Sequence, residues 1–372
     1  MSSCLPDSTA AEPCAVTDAL GDLSRHQDYR NRFAFLICGS AMLVLVLLSM
    51  TRGAVFIPAH DVFDVLARAL TGEDLAGNRH ALVVLHIRLP RTLLAMLVGA
   101  SLALSGAIMQ GLFRNPLADP GLIGVSAGAA LAAGVTIVLG ERYLTPLIGR
   151  APFALLPAGA FIGGLISTLA LYAIATRQGR TSIATMLLAG VALGALSGAA
   201  SGFLAYLSDD RQLRDLTFWA LGSFSGASWG KIGVVAPIIL ALVAAAPFLA
   251  RGLNGLALGE AEAFHLGLDV QRIKAAAILL VAAAVGAGVA AAGAIGFVGI
   301  VVPHLVRLAL GANHRILLPA SALGGAILLL GADILARSVV APAELPIGIV
   351  TAAIGAPFFL WLLLRRGGSL GA

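Results

Sequence analysis

The chain is poor in charge and almost without lysine. Charged residues fill 12% of its 372 positions, against roughly 25% in soluble domains. Apolar residues make up 59%, and the mean hydropathy is +0.95. Too little polar surface remains to cover a water-soluble globule, so the chain reads as one integral membrane domain. The two lysines, Lys231 and Lys274, exclude a further class. A Gly-x-x-x-x-Gly-Lys-Ser/Thr loop would cradle nucleotide phosphates, but Lys231 precedes Ile232 and Lys274 follows no glycine. Any nucleotide is therefore hydrolysed on another chain. Cysteine is scarce too: Cys4, Cys14 and Cys38 lack metal-ligand spacing, and no metal site is expected. The net charge of +5 is scattered, with no basic run interleaved with aromatics, which argues against nucleic acid. No Ser/His/Asp or paired-carboxylate set is apparent from the spacing, so no catalytic residue is assigned.

What is present is a series of apolar runs. Ten spans are predicted, near 33–50, 92–112, 117–139, 153–175, 183–207, 231–250, 273–294, 296–311, 316–336 and 346–364. About 20 residues are needed to cross a hydrocarbon core of roughly 30 Å, so the eighth, with Pro303 and His304, is short. Residues 1–32 form a polar tail, 33–366 the membrane domain and 367–372 a second tail. Residues 1–32 are too polar for a cleaved secretory signal, so the first span is expected to stay as an anchor. Arg25, Arg30 and Arg32 precede the first span, and Arg365 and Arg366 follow the last. Positive charge at both ends, with an even number of spans between, puts both termini in the cytoplasm.

One loop departs from that rule. Arg52, Arg68, Arg79, Arg88 and Arg91 lie between the first two spans, on the outer side. Either later loops set the orientation, or an acidic partner docks there through guanidinium–carboxylate pairs. His86 lies beside them, a solvated loop residue or a contact for a ligand or its carrier. Buried carboxylates would mark an ion-coupled carrier. The main one is Asp333, four residues before Arg337 and spaced to pair with it along one helix face.

Small residues crowd the stretch from Gly99 to Ala130, where Gly99, Ser101, Ala103, Ser105 and Gly106 permit close helix contact. Its polar connection, Arg114 to Pro120, breaks the backbone ladder as a cavity wall or gate would. The block 99–108 matches 286–295 at the same spacing, and Pro116 then falls in register with Pro303. Leu156-Pro157-Ala158 is likewise echoed by Leu318-Pro319-Ala320. An offset of about half the chain, with the second span running inward and the seventh outward, predicts two inverted repeats. Between spans five and six, Asp209 and Asp210 suit a helix start, and Trp219 and Trp229 an interfacial depth. The inward loop 251–274 reads as two short helices hinged at Gly259, apolar on one side and acidic at Glu260 and Glu262. An exposed apolar loop of this kind has a partner.

The stretch 99–130, the loop 254–268, the block Ala292–His304 and the run Ala343–Phe359 together resemble the permease subunits of ATP-binding-cassette importers for iron-siderophore complexes, haem and vitamin B12. These are the FecCD-type, type II importer permeases, and the likeness extends over about residues 33–366. It implies an all-α fold that works as a homodimer in the bacterial inner membrane, with two ATPase subunits below and a periplasmic binding protein above. ATP and Mg then belong to the ATPase, and this chain binds no cofactor. Carried over from the vitamin B12 member, Arg88, Arg91 and Arg337 receive acidic residues of the binding protein. Asn115 and Leu117, with Ser182 and Ile183, form the cytoplasmic gate, although Ile183 departs from the small polar residues usual there. Asn254, Leu256, Leu258, Gly259, Glu260, Ala263, Leu266 and Gly267 form the loop seated on the ATPase. The run Asp119–Ala130 looks most like haem permeases, which makes haem the expected cargo and a haem-binding protein the donor. Ferric siderophore and vitamin B12 are the alternatives within this class, and an ion-coupled secondary carrier is the alternative outside it.

Overall fold

A computed structural model describes the backbone of residues 12–53, 55–73, 75, 77–140, 152–341 and 343–367. The expectations for residues 1–11 and 368–372 lie outside these. Among the described residues the fold is all-α apart from one hairpin of two two-residue strands. In chain order the helices are α1 (Glu12–Thr51), α2 (Ala59–Thr71), α3 (Arg79–Leu112), α4 (Val125–Leu139), α5 (Pro152–Ala175) and α6 (Ile183–Leu207). They continue with α7 (Asp210–Leu221), α8 (Trp229–Leu258), α9 (Glu260–His265), α10 (Val270–Ala292), α11 (Val298–Leu310), α12 (His314–Ser338) and α13 (Ile347–Gly367). Seven helices are long and apolar enough to cross a membrane, and three shorter apolar ones, Val125–Leu139, Val298–Leu310 and Ile347–Trp361, fall where the remaining spans were expected.

The centre of the molecule is α3. Every residue from Ser101 to Leu112 is buried, because small residues bring neighbouring helices to backbone contact. A Cβ at Gly99 would overlap the Gly325 carbonyl of α12, and one at Gly106 the Gly299 carbonyl of α11. Close approach of this kind is how helices associate in lipid, which supplies no hydrophobic drive. The faces turned outward are apolar: Phe33 and Leu36 on α1, Leu188 and Phe203 on α6, and Phe248 on α8 are all exposed. Such a surface suits lipid or another apolar partner.

Several boundaries differ from the sequence reading. The first span, Tyr29–Thr51, agrees with the expected 33–50, and the helix that holds it, α1, continues upstream to Glu12 through helix-compatible polar residues. The second span begins at Arg79 instead of 92 and passes through a π-helical turn, Val83–Arg88. Asn78 starts it by accepting the backbone N–H groups of His80 and Ala81 at 2.9 and 3.2 Å. The expected pair of short helices in 251–274 is instead one: α8 runs unbroken to Leu258, and only α9 is separate. Gly259 makes the break with φ 143°, a conformation that favours glycine. Between α6 and α8, Asp209 caps α7 by accepting from Gln212 N at 2.8 Å, as its position suggested.

The two halves repeat the same succession. A long buried helix (α3, α10) is followed by an irregular break, a left-handed residue (Gly124, Phe297) and a short helix (α4, α11). Next comes a helix with proline near its start, Pro157 in α5 and Pro319 in α12. Five apolar spans separate the start of α3 from that of α10, an odd number, which inverts the second half relative to the first. The residue-level match is shorter than it looked. Blocks 99–105 and 286–292 are both helical, but α3 continues to Leu112 whereas α10 stops at Ala292. Gly293 stops it at φ 76°, where a Cβ would overlap the Trp219 carbonyl. Pro116 accordingly lies in a turn, and Pro303 inside a helix.

Candidate transport and coupling sites

Helix ends gather polar side chains at two opposite ends of the molecule. At the first, α1, α3 and α12 bring Arg91 and Arg337 together on Asp333, with Arg88 beside Arg337 at Gly53. Arg91 donates from Nε and Nη2 to Asp333 Oδ1 at 3.0 and 2.8 Å, and from Nη1 to Glu344 Oε1 at 2.7 Å. Arg337 Nε lies 3.1 Å from Asp333 Oδ2, the pairing its spacing indicated. Its other nitrogens donate to Ser49 Oγ at 2.9 Å and to the Arg52 carbonyl at 3.2 Å. Arg88 donates to the carbonyls of Met50 and Val55. Asp333 is 1% exposed and the three arginines 4–7%, so all three guanidinium groups are spent on partners within this chain. Glu344, with 38% of its side chain exposed, is the accessible member. A buried ion cluster is stable only when every member is hydrogen-bonded, and this one meets that condition around a single carboxylate.

Arginines of the loop expected to lie outside have partners within the chain. Of the five arginines, Arg88 and Arg91 are buried in α3, and Arg68 pairs with Asp64 at 3.0 Å. Nearby, exposed His86 lines an open cleft of about 710 Å³ with Leu75, Asn78, Arg79, Leu82 and Leu85. Trp229 Nε1 donates to the Leu85 carbonyl at 2.9 Å, tying the start of α8 to the π-helical turn.

At the opposite end lie the connection 113–119, the hairpin, and α9. Asn115 is exposed, and its Oδ1 accepts from Leu117 N at 3.0 Å, which closes a local turn. Leu117 is half-buried. Asp119 caps the following 3₁₀ turn Pro120–Ile123 by accepting from Gly121 N at 2.7 Å. The hairpin pairs Thr176 with Thr181 and Arg177 with Arg180. Its tip, Gln178-Gly179, has φ 51° and 73°, the doubly positive pattern of a tight hairpin turn. Ser182 follows directly and caps α6 by accepting from Thr185 N at 3.3 Å, while Ile183 packs on the core.

Around α9, Leu256, Gly259 and Ala263 are buried, whereas Leu258, Phe264 and Leu266 are 58–71% exposed. That leaves an apolar face open beside the acidic Glu260. Asn254 joins the base of α8 to the start of α12. Its Nδ2 donates to Asn313 Oδ1 at 2.9 Å, and its Oδ1 accepts from His314 N at 2.9 Å and lies 2.8 Å from His314 Nδ1. A cleft of about 380 Å³ opens there, lined by Arg251, Asn254, Leu258, Leu266 and Arg315 among others.

Sequence reading missed Gln110, Gln271 and Lys274. Gln110 donates to the Gly299 carbonyl at 3.3 Å and accepts from Arg307 Nη2 at 3.1 Å, stitching α3 to α11. A polar residue within an apolar run was the available signal. His304 is 2% exposed and meets Phe358 edge-on at 6.2 Å, a packing position. Among the described residues no group of three or more His, Cys, Asp or Glu is placed to hold a metal ion.

Ten apolar helices about a small-residue centre, with an ion-paired end and an end bearing an open apolar helix, define a multi-pass membrane protein of transporter type. Residues 41–365 match the FecCD transport family. The hemin transport system permease protein HmuU of Yersinia pestis is 51% identical over 76% of this chain and 83% of its own length. The cobalamin import system permease protein BtuC of Halobacterium salinarum is 46% identical over 75% and 73%, respectively. The vitamin B12 import system permease protein BtuC of Escherichia coli is 43% identical over 92% and 98%. A solved structure of a metal-chelate type ABC transporter in an inward-facing conformation superposes with a TM-score of 0.76 at 32% identity, covering 90% of this chain and 99% of that one. The chain belongs to the FecCD transport family and is a permease of an ATP-binding-cassette importer.

Proposed function

We propose that the chain imports haem: two copies form the membrane path, a periplasmic haem-binding protein delivers the cargo, and two separate ATPase subunits drive the cycle. The observation that carries haem is the 51% identity with the hemin permease, against 46% and 43% with the two cobalamin permeases. The Asp119–Ala130 run points the same way. Vitamin B12 is the second reading, favoured by the longer match to the Escherichia coli protein, which extends over 92% of this chain.

In this reading the α9 end faces the cytoplasm of a bacterial inner membrane, together with both chain termini, and the arginine end faces the periplasm. Burial of Arg88 and Arg91 and the pairing of Arg68 leave fewer free guanidinium groups at the end placed outside. The exposed apolar residues Leu258, Phe264 and Leu266 seat α9 in the ATPase. ATP binding draws the ATPases together and displaces α9. The path then switches at the gate formed by Asn115, Leu117, Ser182 and Ile183. The faces of α6 around Gly194, Gly198 and Gly202, where nothing in this chain approaches, are turned to the second copy and the path. The binding protein docks on the arginine end, and its acidic residues reach Arg91 there by taking the place of Glu344, the accessible partner of that guanidinium group.

The test is substrate selection. The permease, reconstituted with its ATPase, is given a binding protein loaded with hemin, a ferric siderophore or cyanocobalamin. ATP-dependent uptake of hemin alone supports haem, and selective uptake of either other cargo overturns it.

A further inference from the structure

Lys274 is 1% exposed, and its ammonium group has two partners that belong to different moving parts. From the first turns of α10 its Nζ donates to Glu260 Oε1 of α9 at 2.7 Å and to the Thr181 carbonyl of the hairpin at 3.0 Å. One turn earlier on α10, Gln271 Oε1 accepts from Thr181 N at 3.0 Å. The peptide groups on either side of Thr181 are thus held by α10 side chains, one through its N–H and one through its C=O. The hairpin is stiff enough to pass this on. Thr176 and Thr181 hydroxyls lie 3.0 Å apart, and Ser182 N donates to the Ala175 carbonyl at 2.9 Å. Ser182 is also the cap of α6.

Above this linkage α9 and the hairpin are separated by an open cleft of about 620 Å³, with Arg180 on one side and Glu260 and Phe264 on the other. The ammonium group bridges the two elements that line it. A buried lysine holds its charge only with such partners in place, which makes the bridge a demanding feature to keep. Gly259 breaks the helix between α8 and α9 with φ 143°, and the Lys274 bonds tie α9 to α10 and the hairpin.

We infer that Lys274 is a positioning residue that locks α9 to the hairpin at the base of α6, so that displacement of α9 by the ATPase reaches the Ser182–Ile183 gate as a rigid-body movement. The inference rests on the importer reading above and assigns the transmission to particular bonds.

The complete complex of permease, ATPase and hemin-loaded binding protein is reconstituted with wild-type chain, Lys274→Met, Glu260→Gln and the exchange Glu260→Lys with Lys274→Glu. Uptake per ATP hydrolysed is the readout. It falls about fivefold or more in both single variants, the lower bound of ordinary coupling energies, and recovers in the exchanged pair. Glu260→Gln guards against misfolding, since it leaves the lysine bonded to Thr181. Spin labels at Gln178 and His265 give a second readout: their distance stays fixed through the ATP cycle in the wild type and varies in Glu260→Gln. An unchanged uptake-to-ATP ratio overturns the inference, as does a parallel fall of uptake and hydrolysis at constant ratio. Failure of the wild type to couple uptake to ATP refutes the importer reading instead.

Discussion

Replacing Asp333 with asparagine should be the most damaging single-atom-scale change at the arginine end. Asp333 accepts three hydrogen bonds from Arg91, two from Nε at 3.0 and 3.2 Å and one from Nη2 at 2.8 Å, and also pairs with Arg337 at 3.1 Å. Neutralising it leaves two buried cations facing each other across an amide. Removing one partner of a buried ion pair costs about 3–5 kcal/mol. The lower end applies here, because Arg91 keeps Glu344 and Arg337 keeps Ser49 and Arg52. The comparison variant is Glu344→Gln, which breaks a pair that is 38% exposed on the acid side and should cost about 0–1 kcal/mol. Thermal unfolding of the detergent-purified chain reads the difference. At about 2–4 °C per kcal/mol for domains of 150–250 residues, Asp333→Asn lowers the apparent Tm by several degrees and Glu344→Gln by little. Equal shifts, or a larger one for Glu344→Gln, would refute the view that Asp333 organises this end.

Gly106→Ala should lower stability by at least the roughly 1–3 kcal/mol of ordinary overpacking, since its methyl group meets the Gly299 carbonyl, whereas Gly39→Ala on α1, with nothing among the described residues within 4 Å, should shift it by less than about 0.5 kcal/mol; paired melting curves check both. Asn254→Ala removes the bonds to Asn313 and His314 and should cost about 1–3 kcal/mol, with faster amide exchange at the start of α12. Trp229→Phe deletes the bond to the Leu85 carbonyl and should cost about 1 kcal/mol, raising exchange in the π-helical turn without affecting the opposite end.

The positions of the ten apolar helices were legible because each run is bounded by charge, proline or glycine, and hydropathy reads that directly. Helix ends were less so. The chain enters α3 at Arg79, but hydropathy places the boundary after Arg91, since it counts an arginine as solvent-exposed wherever it lies. Arg91 and Asp333 are 242 residues apart, and no local pattern announces that they meet. Asp333 and Arg337 were legible as a pair because helical periodicity is local. Lys274 was weighed only as a phosphate ligand and dismissed, although a lone lysine at the start of an apolar helix needs a partner. Glu260, fourteen residues earlier, is that partner. In this conformation the three arginines carried over from the resemblance are buried on partners of their own chain, and Glu344 is the accessible member of the cluster.

The first measurement to make is hemin uptake into proteoliposomes holding the permease and its ATPase, with hemin-loaded binding protein outside, in the presence and absence of ATP and of ionophores that collapse ion gradients. Uptake that requires ATP and is indifferent to the ionophores is the expected result. Uptake that proceeds without ATP and disappears with the gradient would contradict the mechanism, and would return Asp333 to consideration as a coupling carboxylate.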